Sequence, residues 1–270
     1  MIPTSIDGTD ITGATIDGTD VQEITVDGDV VFSAQTLPVA YSDLVAWYPF
    51  DSAEYGGSNA DDVTAIIGGS GDNTAYDFTV NGASYLSSGG AEDINAGSSS
   101  GHYSMDGTNQ DLRISTSSVA QSPPISITLY AQTDNTEFVP FMCFTDTGDT
   151  SIPIMISKDT LGRFDIRYSD ENDDVTDVEA GSFSLNTWFH IAMTVAANGD
   201  LTAYVDGQVL GTASGSVTSF GRTGINIFSL GSLIRSSGTV FTDALVDDVR
   251  IYDKELTASE INQIYQNTEP

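Results

Sequence analysis

From Asp43 onwards, short runs of aliphatic, aromatic and β-branched residues alternate with turns rich in Gly, Ser, Asn and Asp. Residues 201–205 show the two-residue periodicity of a half-buried strand. The Asp206-Gly207 pair that follows is a strong hairpin signal, because a type I′ turn needs positive φ at both central residues. Such short strands and turns predict an all-β fold, a β-sandwich or jelly roll.

One helical pattern interrupts the strands, close to the C-terminus. Thr257 is a good N-cap residue and Glu260 follows it by three positions, which is the spacing of a capping box. The apolar residues around this motif predict a staple and a buried helix face: Leu256, Ile261, Ile264 and Tyr265. We therefore expect one short C-terminal helix.

The N-terminal residues form an internal repeat with a period of ten. The sequence Ile-Asp-Gly-Thr-Asp stands at 6–10 and 16–20, and a weaker copy stands at 26–30. Residues 4–34 are therefore predicted to form short strands joined by tight turns. About 30 residues bury little apolar surface alone, so this segment needs a partner.

These patterns divide the chain into three parts. We expect an anchoring and oligomerisation arm at 1–36, a linker at 37–42 that contains Pro38, and the jelly-roll domain at 43–270. The arm predicts a homo-oligomer and contacts with other proteins of the same assembly.

The charge balance excludes several classes of partner. Asp and Glu total 39 and Lys and Arg total 8, so the formal net charge is −31. Nucleic acid binding needs a basic footprint, and an anionic membrane surface also attracts basic residues. Self-repulsion destabilises such a chain at low salt, and ~1 M salt screens charges beyond ~3 Å. We therefore expect a halophilic source; an ordinary acidic extracellular protein is the alternative.

No segment approaches the ~20 apolar residues of a membrane span, and the first ten residues lack the pattern of a signal peptide. We therefore expect no membrane insertion and no export by an N-terminal signal. Cys143 is the single cysteine, so an intrachain disulfide is impossible, and its apolar neighbours predict a core position.

Seven segments in order resemble the laminin G-like jelly-roll family, the concanavalin A-like lectin/glucanase sandwich. They are Leu44–Asp51, Val80–Tyr85, Tyr103–Gly107 with Leu112–Ile114, Ser126–Ala131, Asn186–Ala192, Leu201–Gly207 and Leu245–Leu256. The resemblance covers about residues 41–267. It implies an antiparallel jelly-roll β-sandwich and places Trp188 at the start of a strand, where it is expected to anchor the core.

The resemblance also raises the chemistry of glucanases, which carry paired carboxylates in a Glu-x-Asp-x-x-Glu arrangement. Glu171-Asn172-Asp173 comes nearest, but Thr176 stands where the second Glu should be. The two histidines, His102 and His190, lack the surroundings of a catalytic triad. We therefore predict no catalytic residues and expect that the protein is not an enzyme.

Metal binding is the more favoured chemistry. Family members often hold a structural Ca²⁺, and the resemblance places its ligands at Asp51 and at Asp247 or Asp248. Carboxylate oxygens are suitable hard ligands for this ion. The alternative is that Asp247 or Asp248 caps a turn or pairs with Arg250. The other acidic stretches, 146–149 and 170–174, are expected to be solvated turns.

Exposed aromatic rings on loops are the usual platforms for sugar rings. The candidates stand beside Gly, Ser and Asn: Tyr55, Tyr76, Tyr103 and Phe220. Tyr103 also lies in one of the family segments, so a core position is an equal alternative for that residue.

The arm resembles the N-terminal segments of tailed-virus appendage proteins. We therefore expect a non-catalytic virion attachment protein of a haloarchaeal virus, assembled in the host cytoplasm and located on the virion surface. Its lectin-like head would bind a host surface glycan or glycoprotein. The alternative is a carbohydrate-binding or adhesion module at a haloarchaeal cell surface.

Overall fold

A computed structural model describes residues 43–50, 77–91, 101–115, 122–222 and 224–266, together with the strands at 59–60 and within 5–33. In the N-terminal part, β1 (Ser5–Ile6) pairs with β2 (Thr9–Asp10), and β3 (Glu23–Val26) pairs with β4 (Asp29–Ser33). Both pairs are antiparallel and lie where the repeat predicts short strands. The role and boundaries of the arm stay predictions.

The main body is a sandwich of two antiparallel sheets. The first sheet has eight strands in the order β15-β14-β13-β12-β19-β10-β7-β6. Their bounds are Asn59–Ala60 (β6), Phe78–Asn81 (β7), Asp111–Ser115 (β10), Val139–Thr145 (β12), Ile154–Lys158 (β13), Phe164–Ser169 (β14), Val175–Ala180 (β15) and Ile227–Leu230 (β19).

The second sheet also has eight strands, in the order β18-β17-β16-β11-β22-β9-β8, with β5 paired to the far end of β22. Their bounds are Leu44–Tyr48 (β5), Ser84–Leu86 (β8), His102–Asp106 (β9), Ile125–Gln132 (β11), Phe189–Val195 (β16), Leu201–Val205 (β17), Gln208–Ala213 (β18) and Asp243–Tyr252 (β22). The antiparallel β-sandwich predicted from the sequence is therefore confirmed.

Aromatic rings fill the space between the sheets. Phe144 on β12 stacks on Phe228 of β19 with ring centroids 4.4 Å apart, and Tyr48 of β5 meets Phe78 of β7 at 4.5 Å. All four side chains are fully buried. Such pairs contribute about 0.5–1.5 kcal/mol beyond the area they bury. Phe144 and Phe228 are cross-strand neighbours within the first sheet, whereas Tyr48 and Phe78 join the two sheets.

A short hairpin covers part of the outer face of the first sheet. It consists of β20 (Ser232–Arg235) and β21 (Gly238–Phe241). Leu233 packs there with Cys143 and Met155, and all three are buried. The predicted core position of Cys143 is confirmed.

The C-terminal helix α1 (Ala258–Gln266) packs on the outer face of the second sheet. The backbone N–H of Glu260 donates to Thr257 Oγ1 at 3.2 Å, and the backbone N–H of Thr257 donates to Glu260 Oε2 at 2.7 Å. The predicted capping box is thus formed, and Ile261 and Ile264 are buried as expected. Among the described residues, no helix is long and apolar enough to span a membrane.

Candidate functional site

A β-bulge in β22 positions the two acidic residues predicted to bind calcium. Tyr130 of β11 lies opposite Asp247, and Thr128 lies opposite Arg250, so β22 carries one residue more than β11 between these points. The backbone φ of Asp248 is +43° at this irregularity. A bulge of this kind re-aims a side chain, and here it sets the direction of the Asp248 carboxylate.

Asp248 is buried beside a cation and an indole. Its Oδ1 accepts hydrogen bonds from Trp47 Nε1 at 2.7 Å and from Arg250 Nε at 2.8 Å. The Arg250 guanidinium carbon lies 4.8 Å from the centroid of the Trp47 ring. Burial opposes the positive charge, but the charge of Asp248 and the Tyr252 hydroxyl raise the pKa of Arg250 overall. The sequence left pairing with Arg250 open as the alternative to calcium binding, and the structure contains this ion pair.

Asp247 is also engaged by the protein. Its Oδ1 accepts from the backbone N–H of Asp248, and its Oδ2 accepts from the backbone N–H of Ala91, both at 2.9 Å. In the described part of the chain, no group of three or more His, Cys, Asp or Glu could hold a metal ion. Oδ1 of Asp248 is occupied by Trp47 and Arg250, and calcium binding by its Oδ2 stays a prediction. Asp51 lies outside the described residues, so calcium binding there stays a prediction.

The structure corrects two of the predicted sugar platforms. Tyr103 is 1% exposed and packs edge-on against Phe50 with ring centroids 5.0 Å apart. Phe220 is 0% exposed and packs against Tyr168 at 5.5 Å. Both rings belong to the core between the sheets, so neither can stack on a sugar at the surface. Tyr55 and Tyr76 lie outside the described residues.

The expectation for Trp188 is also wrong. Its side chain is half-buried, lies edge-on to His102 at 5.5 Å and donates to the carbonyl of Gly89 at 3.3 Å. Trp47 is the buried indole instead. His190 is buried, and burial lowers its pKa to about 3, so the ring is neutral at physiological pH.

The acidic turns at 146–149 and 170–174 are organised by their first residue. Asp170 Oδ1 accepts the backbone N–H groups of Asn172 and Asp174 at 2.8 and 2.9 Å. Asp146 Oδ1 accepts the backbone N–H of Gly148 at 2.8 Å and the side-chain amide of Asn226 at 2.6 Å. They are turns, as predicted, but these leading carboxylates are buried rather than solvated.

Arg222 ties these turns to the loop that precedes β19. Its guanidinium lies 3.1 Å from an Asp149 carboxylate oxygen and 3.3 Å from one of Asp173. Glu171 accepts the backbone N–H groups of Thr218 and Ser219 at 3.1 and 3.4 Å. We call residues 146–150, 170–174 and 217–222 the loop end.

The loop end presents neutral and acidic polar groups to solvent, together with the exposed Arg222 guanidinium. Its exposed side chains include Thr147, Thr150, Asn172, Asp174 and Thr218. Hydroxyl, amide and carboxylate groups on braced turns suit hydrogen bonding to a hydroxyl-rich ligand. Sequence reasoning missed this arrangement because Arg222, which connects the turns, lies 73 residues from Asp149.

Comparison with known families identifies the fold. Residues 106–262, more than half of the chain, match the laminin G-like family described as the concanavalin A-like lectin/glucanases superfamily. The chain belongs to this superfamily. Its β-sandwich is thus of the lectin type. The family match confirms the superfamily that the seven sequence segments resemble. Among curated proteins, none gives a significant sequence match.

Solved structures of two kinds share the fold of this superfamily member. Trypanosoma rangeli sialidase in complex with sialic acid matches with a TM-score of 0.61 at 18% identity, over 92% of this chain and 36% of the sialidase chain. The botulinum neurotoxin type G receptor binding domain matches with a TM-score of 0.56 at 14% identity, over 84% of this chain and 51% of that one. This chain therefore spans about a third to a half of these proteins.

The prediction that the protein is not an enzyme is contradicted by these matches. Sialidases are among the structures that share its fold, including one described as a covalent intermediate with 2,3-difluorosialic acid. The absence of the Glu-x-Asp-x-x-Glu motif excluded only the glucanase arrangement of catalytic carboxylates. Enzymes of another kind, the sialidases, also contain this fold. At 14–18% identity the likeness shows the fold alone.

Proposed function

We propose that the chain recognises a glycan or glycoprotein on a host cell surface, as the head of a virion attachment protein. The observation that carries the proposal is the match of more than half the chain to a concanavalin A-like lectin/glucanases family. The matching neurotoxin structure is described as a receptor binding domain, which agrees with recognition on this fold.

The surface chemistry supports the same function. The loop end exposes hydroxyl, amide and carboxylate groups, which match the hydroxyls of a glycan. Its turns are held by hydrogen bonds between side chains and backbone, so little conformational entropy is lost when a ligand binds. Electrostatic repulsion between this acidic head and an acidic envelope is weak in molar salt.

The viral and halophilic parts of the proposal rest on the sequence. The net charge of −31 favours a molar-salt habitat, and the period-ten repeat in 1–36 favours an assembly-competent arm. Weak binding by each head would then become useful binding through linked copies, since effective concentration raises avidity by about 10²–10⁴.

Adsorption to envelopes tests the proposal. The full-length protein, labelled with a fluorophore, is incubated in 2–3 M KCl with envelope preparations from several haloarchaea. We expect saturable binding to at least one envelope, and loss of that binding after periodate oxidation of its glycans or proteolysis of its surface proteins. Absence of saturable binding to every envelope contradicts the proposal.

A second observation separates the viral role from a cellular one. If the gene lies among capsid and tail genes, the virion assignment holds. If it lies among sugar-transport or cell-wall genes, surface recognition stands but belongs to a cellular adhesion module.

A further inference from the structure

A groove of about 690 Å³ lies at the end of the second sheet where β16 turns into β17. Its polar lining comprises Asn198, Asp200, Thr202, Thr212, Ser214 and Glu255. Small-molecule sites typically have volumes of about 300–1,000 Å³, so the space is of the right order for a short ligand. None of these residues was predicted from the sequence to be a site residue.

The groove lies on the outer face of the sandwich. Leu201 and Ala203 of β17 belong to the core between the sheets, so Thr202 between them points to the opposite face. Thr212 of β18 lies directly opposite Thr202 in the antiparallel register, and cross-strand partners share a face. The two hydroxyls therefore stand side by side on one wall.

The turn beside the groove is rigid. Asn198 Nδ2 donates to Asp200 Oδ2 at 2.8 Å, and the backbone N–H of Asp200 donates to Asn198 Oδ1 at 3.2 Å. Gly199 has φ +95°, and a Cβ there would lie 2.8 Å from backbone atoms of Ser216. The buried Tyr168 hydroxyl also donates to the Gly199 carbonyl. The wall that carries Asp200 is therefore held in place before any ligand arrives.

The groove has a mixed chemistry. Hydroxyl and amide groups both donate and accept, whereas the carboxylates of Asp200 and Glu255 only accept. Ala196, Ala197 and Ala213 add small apolar surfaces between these polar groups. A ligand must therefore offer several hydroxyl donors together with C–H surface, and a sugar ring has both.

The charges in the groove decide which sugars it suits. Asp200 and Glu255 disfavour a carboxylate, sulfate or phosphate on the ligand, because like charges at short range repel. The described part of the chain holds no set of three metal-binding side chains, so a cation bridge is not built into the groove. In molar salt, screening removes most of the long-range attraction for an amine, and hydrogen bonding dominates.

We propose that this groove is a binding site for a short neutral saccharide. The inference rests on the proposed recognition of a host glycan and adds to the loop end a second contact surface, for which it names a sugar class. A sugar hydroxyl donates to the carboxylate of Glu255 or Asp200. It accepts from the hydroxyl of Thr202, Thr212 or Ser214. The C–H face of the sugar ring lies on the alanine methyl groups.

The test uses the full-length protein in 2 M KCl with defined probes. Neutral trisaccharides of glucose, galactose and mannose are compared with glucuronate, N-acetylneuraminate and glucosamine by chemical-shift titration. We expect at least one neutral trisaccharide to bind and to shift the amide signals of Thr202, Thr212 and Ser214. Glu255→Gln replaces a charged acceptor by a neutral amide and Thr212→Val removes a hydroxyl, and each should weaken binding about tenfold. Asp177→Asn, on the exposed edge strand β15, is the control and should leave binding unchanged.

The outcomes separate this inference from the function on which it rests. Stronger binding of an acidic or amino sugar overturns the neutral class. Trisaccharide binding that both groove variants retain overturns the location but leaves host recognition intact. If no probe binds while envelopes are still bound, the groove is not a saccharide site. If envelopes are not bound either, the proposed function fails as well.

Discussion

The Arg250 guanidinium donates through Nε to Oδ1 of Asp248 across 2.8 Å, and both side chains are only 1% exposed. Few cations are available in a chain with 39 acidic and 8 basic residues. One of them, Arg250, is nevertheless buried against the Trp47 ring, on the face of β22 opposite to the core residues Val249 and Ile251. The pair therefore has a structural role, because the positive charge of Arg250 compensates the negative charge of Asp248 at a bulge where the backbone of Asp248 has positive φ.

Removal of the Asp248 carboxylate should destabilise the protein strongly. Asp248→Ala leaves the Arg250 charge buried without its partner, and broken buried pairs typically cost about 3–5 kcal/mol. Urea unfolding, followed by tryptophan fluorescence, measures the loss.

Arg163 gives the matched control for this prediction. Its guanidinium pairs with Asp159 and Glu179 at 2.6 Å but is 35% exposed. Exposed pairs contribute about 0–1 kcal/mol, so Glu179→Ala should cost far less than Asp248→Ala. Equal losses for the two variants would show that the buried pair has no special role.

Short sequence motifs predicted elements of the fold, because each motif favours one local structure. The Asp206-Gly207 signal predicted a tight hairpin, and these residues have φ of +49° and +71° between β17 and β18. The capping box predicted the start of the helix, where the Thr257 and Glu260 side chains bond as expected. Both motifs consist of residues within four positions of each other, so they can be recognised from the sequence alone.

The candidate sites depend on contacts that the sequence does not display. Phe220 stands beside Ser and Gly, which resembles an exposed loop, yet tertiary packing buries it against Tyr168. The sequence also does not show that a bulge turns Oδ1 of Asp248 towards Trp47. The groove combines residues from the β16–β17 turn, β18 and the segment after β22, and no single motif marks it.

Glu171 should contribute a measurable acid dependence of stability. Hydrogen bonds from its own backbone N–H and from Thr218 lower its pKa from 4.5 to about 2. Because the folded pKa is below the unfolded value, its contribution is present above about pH 4.5 and disappears as pH falls towards 2.

Glu171→Gln isolates that contribution from the other carboxylates. We expect the stability difference between wild type and Glu171→Gln to shrink steadily between pH 4.5 and pH 2. Unfolding by urea at a series of pH values gives the difference directly. A difference that is constant over this range would exclude the link between Glu171 and the 217–219 loop.

Loss of the capping box should weaken the attachment of helix α1. Thr257→Ala removes the acceptor for the Glu260 backbone N–H, and such caps contribute about 1 kcal/mol. Thr257→Ser keeps the hydroxyl and should restore most of the stability. If Thr257→Ser is as unstable as Thr257→Ala, the methyl group rather than the cap is responsible. Hydrogen exchange of the Ile261 amide gives a local readout.

Deletion of residues 1–36 should abolish self-assembly. The period-ten repeat is too short to bury a core alone, so its strands are expected to pair with other copies or with another protein. Light scattering compares the mass of the full-length and shortened proteins, and circular dichroism checks that the β-sandwich remains. The same mass for both proteins, with docking to the parent assembly also retained, would refute the assembly role of this segment.

Molar salt should stabilise the fold. With a net charge of −31, the compact state brings carboxylates of like sign together, and at 0.1 M salt charges within ~10 Å still interact. Thermal melting in 0.1 M and in 2–3 M KCl should therefore differ, with the higher melting temperature in the concentrated salt. The uncharged additive sucrose serves as the control, because it favours the compact state without screening charges. The buried Asp248–Arg250 pair should change little with salt, since screening acts mainly on exposed charges, so Asp248→Ala should cost a similar amount at both concentrations. An unchanged melting temperature between 0.1 M and 2–3 M KCl would contradict the halophilic assignment.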